Sequence, residues 1–345
     1  MKRYITIVAV AIAALSCSKT YDVNPTSQKG IGFGTWAENL SRARTQGTST
    51  FVSGDDFAVY GSKVAGSAAA VAVFDDVVVS YDGSKWTYSP DRFWDPSTDS
   101  YTFYAVSPAA AGTGATVTAT TGVIASASTT FAGNDNDILV ADEKAVAKAN
   151  YGSTVELQFN HIASLVDFKV KKHADLGSAT LAITSFSLSN IDNVGTFAVD
   201  SYTSTHPDVV WTASAHAGAY SNASGVSSVT LPSDVSASTP DLLINNLIAM
   251  PQDFRSEAAS ESNIQTVSIE YTITDEASNV STFTKSFELK LFDDVDDTDN
   301  TDTIIPGWEG GKHYTFIITI NSSKIEFTGA ITDWTAENGY NYLLN

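Results

Sequence analysis

Five histidines, His161, His173, His206, His216 and His313, are the first residues to weigh for chemistry. Imidazole is the usual base and metal ligand near neutral pH. None of the five stands in a His-Glu-x-x-His or comparable metal spacing. His161 and His313 fall in strand contexts and read as packing or hydrogen-bonding residues. No Gly-x-Ser-x-Gly elbow and no phosphate-cradling glycine loop is present. Ser16 and Lys19 form Ser-x-x-Lys, but the pair straddles the end of an apolar leader. Asp55/Asp56 and Asp75/Asp76 are adjacent carboxylates at strand edges. Strand neighbours face opposite sides, so neither pair is placed to share one reaction. Trp86, Trp94 and Trp211 offer either a sugar platform or core rings. The acidic run from Asp293 to Asp302 carries hard oxygens that suit calcium, without the loop glycine or twelfth-position Glu of an EF-hand. It reads as a solvated hairpin tip or as a calcium site. No catalytic residue, metal ligand set or cofactor motif emerges, and the expectation is a protein that is not an enzyme.

The chain's single cysteine, Cys17, has a sharper reading. Lys2 and Arg3 precede an uncharged apolar run of 11 residues from Ile5 to Leu15. That length fits the h-region of a signal peptide and is too short to cross a bilayer. Ala14-Leu15-Ser16-Cys17 then resembles a bacterial lipobox, in which the cysteine is acylated and becomes the new N-terminus. The match departs from the pattern in that Leu15 lies two places before the cysteine rather than three. The alternative is an ordinary signal peptide that contains a cysteine. Several acyl chains hold a protein firmly to a membrane, where one holds it marginally. With one cysteine, no disulfide can form within the chain.

The net charge of −20, from 39 acids against 19 bases, excludes nucleic acid as a partner, because that binding needs clustered Lys and Arg. Loss of residues 1–16 removes Lys2 and Arg3 and no acid, so the remainder is more negative still. Charged residues make up only 17% of the chain, which leaves Ser, Thr and Asn to cover much of the surface.

The elements that must position any site are strands. Phe57–Tyr60, Val71–Val79, Tyr101–Val106, Val155–Asn160, Leu165–Val170, Leu181–Leu188, Thr196–Val199, Val267–Ile273, Phe283–Leu291 and Tyr314–Ile320 show period-two patterning rich in Val, Ile, Thr and aromatics. Clusters such as Gly133-Asn134-Asp135-Asn136-Asp137 punctuate them. Ala141–Ala149 is the one stretch that reads as two helical turns. Many short strands with turn signals imply sandwiches. A polar break at Lys171-Lys172-His173-Ala174 divides them into two domains. The expected organisation is signal peptide 1–16, lipidated linker with a front strand 17–44, N-terminal sandwich 45–172 and C-terminal sandwich 173–345.

Several local patterns together resemble the fimbrillin family of Bacteroidetes, the subunits of type V pili. One is Phe51 followed by Gly54-Asp55-Asp56-Phe57-Ala58-Val59. The second is Trp86-Thr87-Tyr88, then Phe93-Trp94-Asp95-Pro96, then Tyr101-Thr102-Phe103-Tyr104-Ala105. The third is Asn136-Asp137-Ile138-Leu139-Val140-Ala141 leading to Leu157-Gln158-Phe159-Asn160-His161. The fourth runs from Trp308-Glu309-Gly310-Gly311-Lys312-His313-Tyr314-Thr315-Phe316 to Ile325 and Trp334. No motif is specific alone, but their order spans most of the chain after the leader.

The resemblance implies an all-β fold of two tandem transthyretin-like Greek-key β-sandwich domains. It also implies an outer-membrane lipoprotein precursor that an arginine-directed protease trims outside the cell, and a fimbrial function serving adhesion. Arg44, and next Arg42, are the candidate cleavage positions; the alternative is two solvated arginines in a linker. Ile31 and Phe33 alternate with glycines in a segment that would pair with the first sandwich and leave once cut. Tyr340, Tyr342 and Leu344 would fill the vacated groove of another pilus subunit, unless this stretch is simply the last strand of the second domain. Partners would then be other subunits, the outer membrane through the lipid, and a host or bacterial surface ligand. The competing reading is a surface glycan-binding lipoprotein that never polymerises.

Overall fold

The computed structural model describes residues 29–36, 51–112, 116–131, 137–216, 218–221, 229–231, 241–255, 263–291, 293–294, 303–322 and 325–333. In chain order the strands of the first half are β1 (Phe33–Trp36), β2 (Asp56–Val64), β3 (Val71–Tyr81), β4 (Trp86–Thr87), β5 (Ser100–Ser107), β6 (Thr116–Val117), β7 (Ile124–Thr130), β8 (Leu139–Ala141), β9 (Lys144–Ala147), β10 (Val155–His161) and β11 (Ser164–Lys172). There follow β12 (Thr180–Ile191), β13 (Val194–Thr203), β14 (His206–Ala215), β15 (Gly218–Ser221), β16 (Val229–Leu231), β17 (Asp241–Ala249), β18 (Gln252–Asp253), β19 (Thr266–Thr274) and β20 (Val280–Glu288). The last are β21 (Asp293–Asp294), β22 (Thr303–Ile304), β23 (Gly307–Trp308), β24 (Lys312–Ile320) and β25 (Ile325–Asp333). Helical structure among the described residues is confined to 3-10 turns such as Ala109–Gly112 and Lys148–Asn150.

The helix expected over Ala141–Ala149 is not there. Lys144–Ala147 is instead β9, antiparallel to Ser100–Phe103 of β5. Intrinsic propensity is a weak prior, and an open strand edge with Val146 facing the core overrides it.

The back half is a sandwich. One sheet runs β17-β11-β24-β25-β21-β22 and the other β15-β12-β19-β20, with β16 beside β12. Val166, Phe168 and Phe316 from the first sheet meet Leu181, Phe186 and Ile269 from the second in one buried cluster. The Phe168 and Phe316 rings stack with centroids 4.8 Å apart.

The front sheet runs β1-β10-β8-β5-β2-β3-β4, with β9 also on β5. It buries side chains on both faces. Phe57 and Val59 of β2 point into one cluster, Ala58 and Tyr60 into another. On that second side, β7 pairs with β13 in a sheet ordered β14-β13-β7-β6, which joins strands from the two halves of the chain. The strand β11 belongs to the back sheet by pairing, parallel to β24 and antiparallel to β17. The strand β11 thus begins the back sheet at Ser164, and the polar break at residues 171–174 lies at its end.

Candidate functional site

The site is where β1 enters the front core. Residues 31, 33 and 35 share one face of an extended segment, because strand side chains alternate. Ile31 and Phe33 on that face are 3% and 6% exposed, whereas Gly32 on the other is exposed. Burying such side chains contributes roughly 1.5–3 kcal/mol each. The Phe33 ring stands edge-on to four others, with centroid distances of 6.1 Å to Phe57, 5.3 Å to Phe74, 5.7 Å to Tyr88 and 5.7 Å to Phe103. Gly61 makes room for this cluster, since a Cβ there would lie 2.8 Å from the Phe103 ring.

The backbone of the segment is held from both sides. On one, β1 runs parallel to β10, with Phe33 opposite Val155 and Thr35 opposite Leu157. The Val155 N–H donates to the Gly32 carbonyl at 2.8 Å. On the other, the stretch 86–94 lies against it as a strap. The Ile31 N–H donates to the Arg92 carbonyl at 2.8 Å and the Trp94 N–H to the Lys29 carbonyl at 3.0 Å. The Tyr88 hydroxyl donates to the Ile31 carbonyl at 2.6 Å, and the Trp86 indole N–H to the Thr35 hydroxyl at 3.2 Å. Burial raises the Tyr88 pKa above the ordinary phenol value, which keeps the hydroxyl a donor. Residues 29–36 thus fill a gap between β10 and the strap, and bring the two ends of the front sheet together.

Below the strap, Trp94 is buried and stacks on Tyr151 with centroids 4.7 Å apart. The next residue, Asp95, pairs with Lys63 at 2.7 Å. That hydrogen bond, and then those from Ser97, hold the Asp95 carboxyl at about 2, below the usual carboxylate value. The same contact raises the Lys63 pKa.

Several of the other sequence candidates have partners within the fold. Each histidine touches one aspartate: His161 with Asp137 at 3.0 Å, His173 with Asp175 at 3.0 Å, His206 with Asp142 at 2.8 Å, His216 with Asp192 at 2.6 Å and His313 with Asp167 at 3.1 Å. No group of three potential metal ligands occurs among the described residues. Asp55 accepts from the Val52 N–H at 2.7 Å and Asp56 from the Ala109 N–H at 2.9 Å, so both tie down turns. Asp76 sits at φ 52 beside a register shift between β2 and β3, where simple alternation fails, and accepts from the Tyr60 hydroxyl at 2.9 Å. Trp86 packs on Phe57, Trp211 donates to the Ile162 carbonyl, and Trp94 is buried. In the acidic run, Asp293–Asp294 pair with Thr303–Ile304, and 295–302 lie outside the described residues. Cys17, Arg42, Arg44, Tyr340, Tyr342 and Leu344 also lie outside them.

The fold is all β, with sheets packed as sandwiches and a short segment, residues 29–36, completing the front one. The family model described as fimbrillin-like matches residues 41–334, and the chain belongs to that family. Among solved structures, a fimbrial protein from Bacteroides vulgatus is 15% identical, covers 89% of this chain and 100% of its own, and has a TM-score of 0.60. A protein from Bacteroides ovatus assigned to cell adhesion is 17% identical, covers 90% and 100%, and has a TM-score of 0.50. At these identities the likeness is one of fold. No curated protein is similar enough in sequence to count as a match.

Proposed function

We propose that this chain is a structural or tip subunit of a surface pilus serving adhesion, assembled by replacement of the segment 29–36. In this reading Cys17 carries the lipid that tethers the precursor to the outer membrane. Proteolysis at Arg44 or Arg42 then cuts the connection between the segment and the front sandwich. The strand bearing Tyr340, Tyr342 and Leu344 on another subunit takes the vacated place, through main-chain bonds to β10 and alternate side chains in the core. The front sandwich receives and the back sandwich donates.

The observation that carries the reading is the seat of Ile31 and Phe33: core residues on a short segment whose chain continues through 37–50 to the rest of the domain. Arginine placement also supports it. After residue 16 the sequence holds four arginines, at 42, 44, 92 and 255. Arg92 lies over the Phe74 ring at 5.3 Å, and Arg255 is bound to Asp192 at 2.8 Å. In this reading an arginine-specific protease acts at 42 or 44 rather than at these two engaged arginines.

The test is to treat the folded chain with such a protease and follow its size under native conditions. A single trim near residue 44 followed by a ladder of multimers is the expected result. A chain that is trimmed and stays monomeric at high concentration would sink the proposal.

A further inference from the structure

The residues around the seat of β1 restrict which strand can occupy it. We propose that the front groove reads its occupant at two adjacent positions, demanding an aromatic ring where Phe33 sits and rejecting an acid where Gly34 sits. The occupant to which this commits is the C-terminal segment of a second copy of this chain, with Tyr342 in the ring position. The proposal rests on the strand-replacement reading above and adds a rule for selection to it.

The ring position is built by four aromatic side chains that meet Phe33 edge-on rather than by a smooth aliphatic wall. Three of them also contact one another: Phe74 lies 5.5 Å from Tyr88 and 5.8 Å from Phe103. The shape and quadrupoles of this box suit a flat ring. Leucine would fill part of the volume without the edge-to-face contacts, and alanine would leave a cavity.

The next position faces outward. Gly34 is opposite Glu156 in the parallel ladder. A Cβ at residue 34 would lie 2.5 Å from a Glu156 carboxylate oxygen, so the carboxylate already leans over the strand. Any side chain there must share space with that charge. An aspartate meets repulsion, a lysine meets attraction, and a neutral residue is tolerated once Glu156 swings aside. In the tail, Tyr342 is flanked by Asn341 and Leu343. Whichever direction the incoming strand runs, the residue beside Glu156 is uncharged. In a chain with net charge −20, such a neutral window is a requirement the bulk composition does not supply.

The test uses the chain cut at Arg42 and Arg44, challenged with fluorescent peptides spanning residues 28–37 and 338–345. Binding is read by anisotropy, and the native N-terminal fragment that leaves by mass spectrometry. Relative to the parent 28–37 peptide, Phe33→Tyr is expected within about tenfold, Phe33→Leu about tenfold weaker and Phe33→Ala ~100-fold weaker or more. Gly34→Asp is expected several-fold weaker than Gly34→Lys, on the order of three- to tenfold, and Glu156→Lys in the protein reverses that order. The 338–345 peptide is expected to bind and its Tyr342→Ala form to fail. If no peptide binds, the parent included, strand replacement itself is wrong. If the parent binds but Phe, Leu and Ala, or Asp and Lys, are indistinguishable, the selection rule is overturned while replacement stands. If only the 28–37 series binds, the second copy is not the occupant.

Discussion

Two of the molecule's buried cores are filled in different ways. The back core draws its buried residues from one continuous stretch of chain, from Val166 in β11 to Ile320 in β24. The front core takes Ile31 and Phe33 from a segment that joins the rest through residues 37–50. Both are rich in aromatic rings, but in the front one a single cut in 37–50 would leave the short segment carrying Ile31 and Phe33 held by noncovalent contacts alone. Under the strand-replacement proposal, that short connection rather than packing quality is what would make the front core exchangeable.

Matched truncations sharpen that contrast most. Phe33→Ala and Phe316→Ala should each cost about 3–5 kcal/mol in chemical denaturation, since both remove a fully packed ring. Only Phe33→Ala should also loosen the segment, seen as rapid hydrogen exchange at 29–36 with β10 still protected. Equal loosening by both would erase the distinction. Gly61→Ala should cost roughly 1–3 kcal/mol by pushing a methyl into the Phe103 ring, and should weaken the front unit while the back unfolds unchanged. Tyr88→Phe removes one strap bond to the Ile31 carbonyl and should cost about 0.5–1.5 kcal/mol. Its signature is faster release of the cut segment with little change in the melting of the whole chain.

The smallest effect is one of pH. Asp95 titrates at about 2 in the fold against 3.8 as a free group. A depressed carboxylate contributes stability that is complete above 3.8 and is lost as pH falls through about 2. Both partners of the Lys63 pair are about one-third exposed, at 29% and 33%, so screening keeps the contribution small. Unfolding midpoints of the wild type and Asp95→Asn should therefore converge as pH drops across that window. A constant gap would remove Asp95 from the account.

Much of this was legible in the sequence. The strands with clean alternation, such as Val155–His161 with its buried-exposed pattern, fell where period two placed them. The apolar positions Ile31 and Phe33, set between glycines, are buried in the structure. What the sequence hid was pairing between distant parts. The parallel match of β1 with β10 spans more than a hundred residues and has no local signature. The same holds for β7 with β13, and for the seating of β11 in the back sheet rather than the front. The Ala141–Ala149 stretch misled because alanine favours helix in isolation, while here an open edge of β5 captured it. The strap was visible only as conspicuous aromatics at Trp86, Tyr88, Phe93 and Trp94; its carbonyl and hydroxyl contacts to Ile31 require the folded backbone.

The most direct measurement is the fate of the front segment itself. Chain labelled isotopically only in residues 17–44 would be cut by an arginine-specific protease and allowed to assemble, and the label weighed in polymer and in solution. The account predicts that the label stays with the monomer after the cut and appears free at one segment per subunit polymerised. Polymer that retains the labelled segment in full would contradict it.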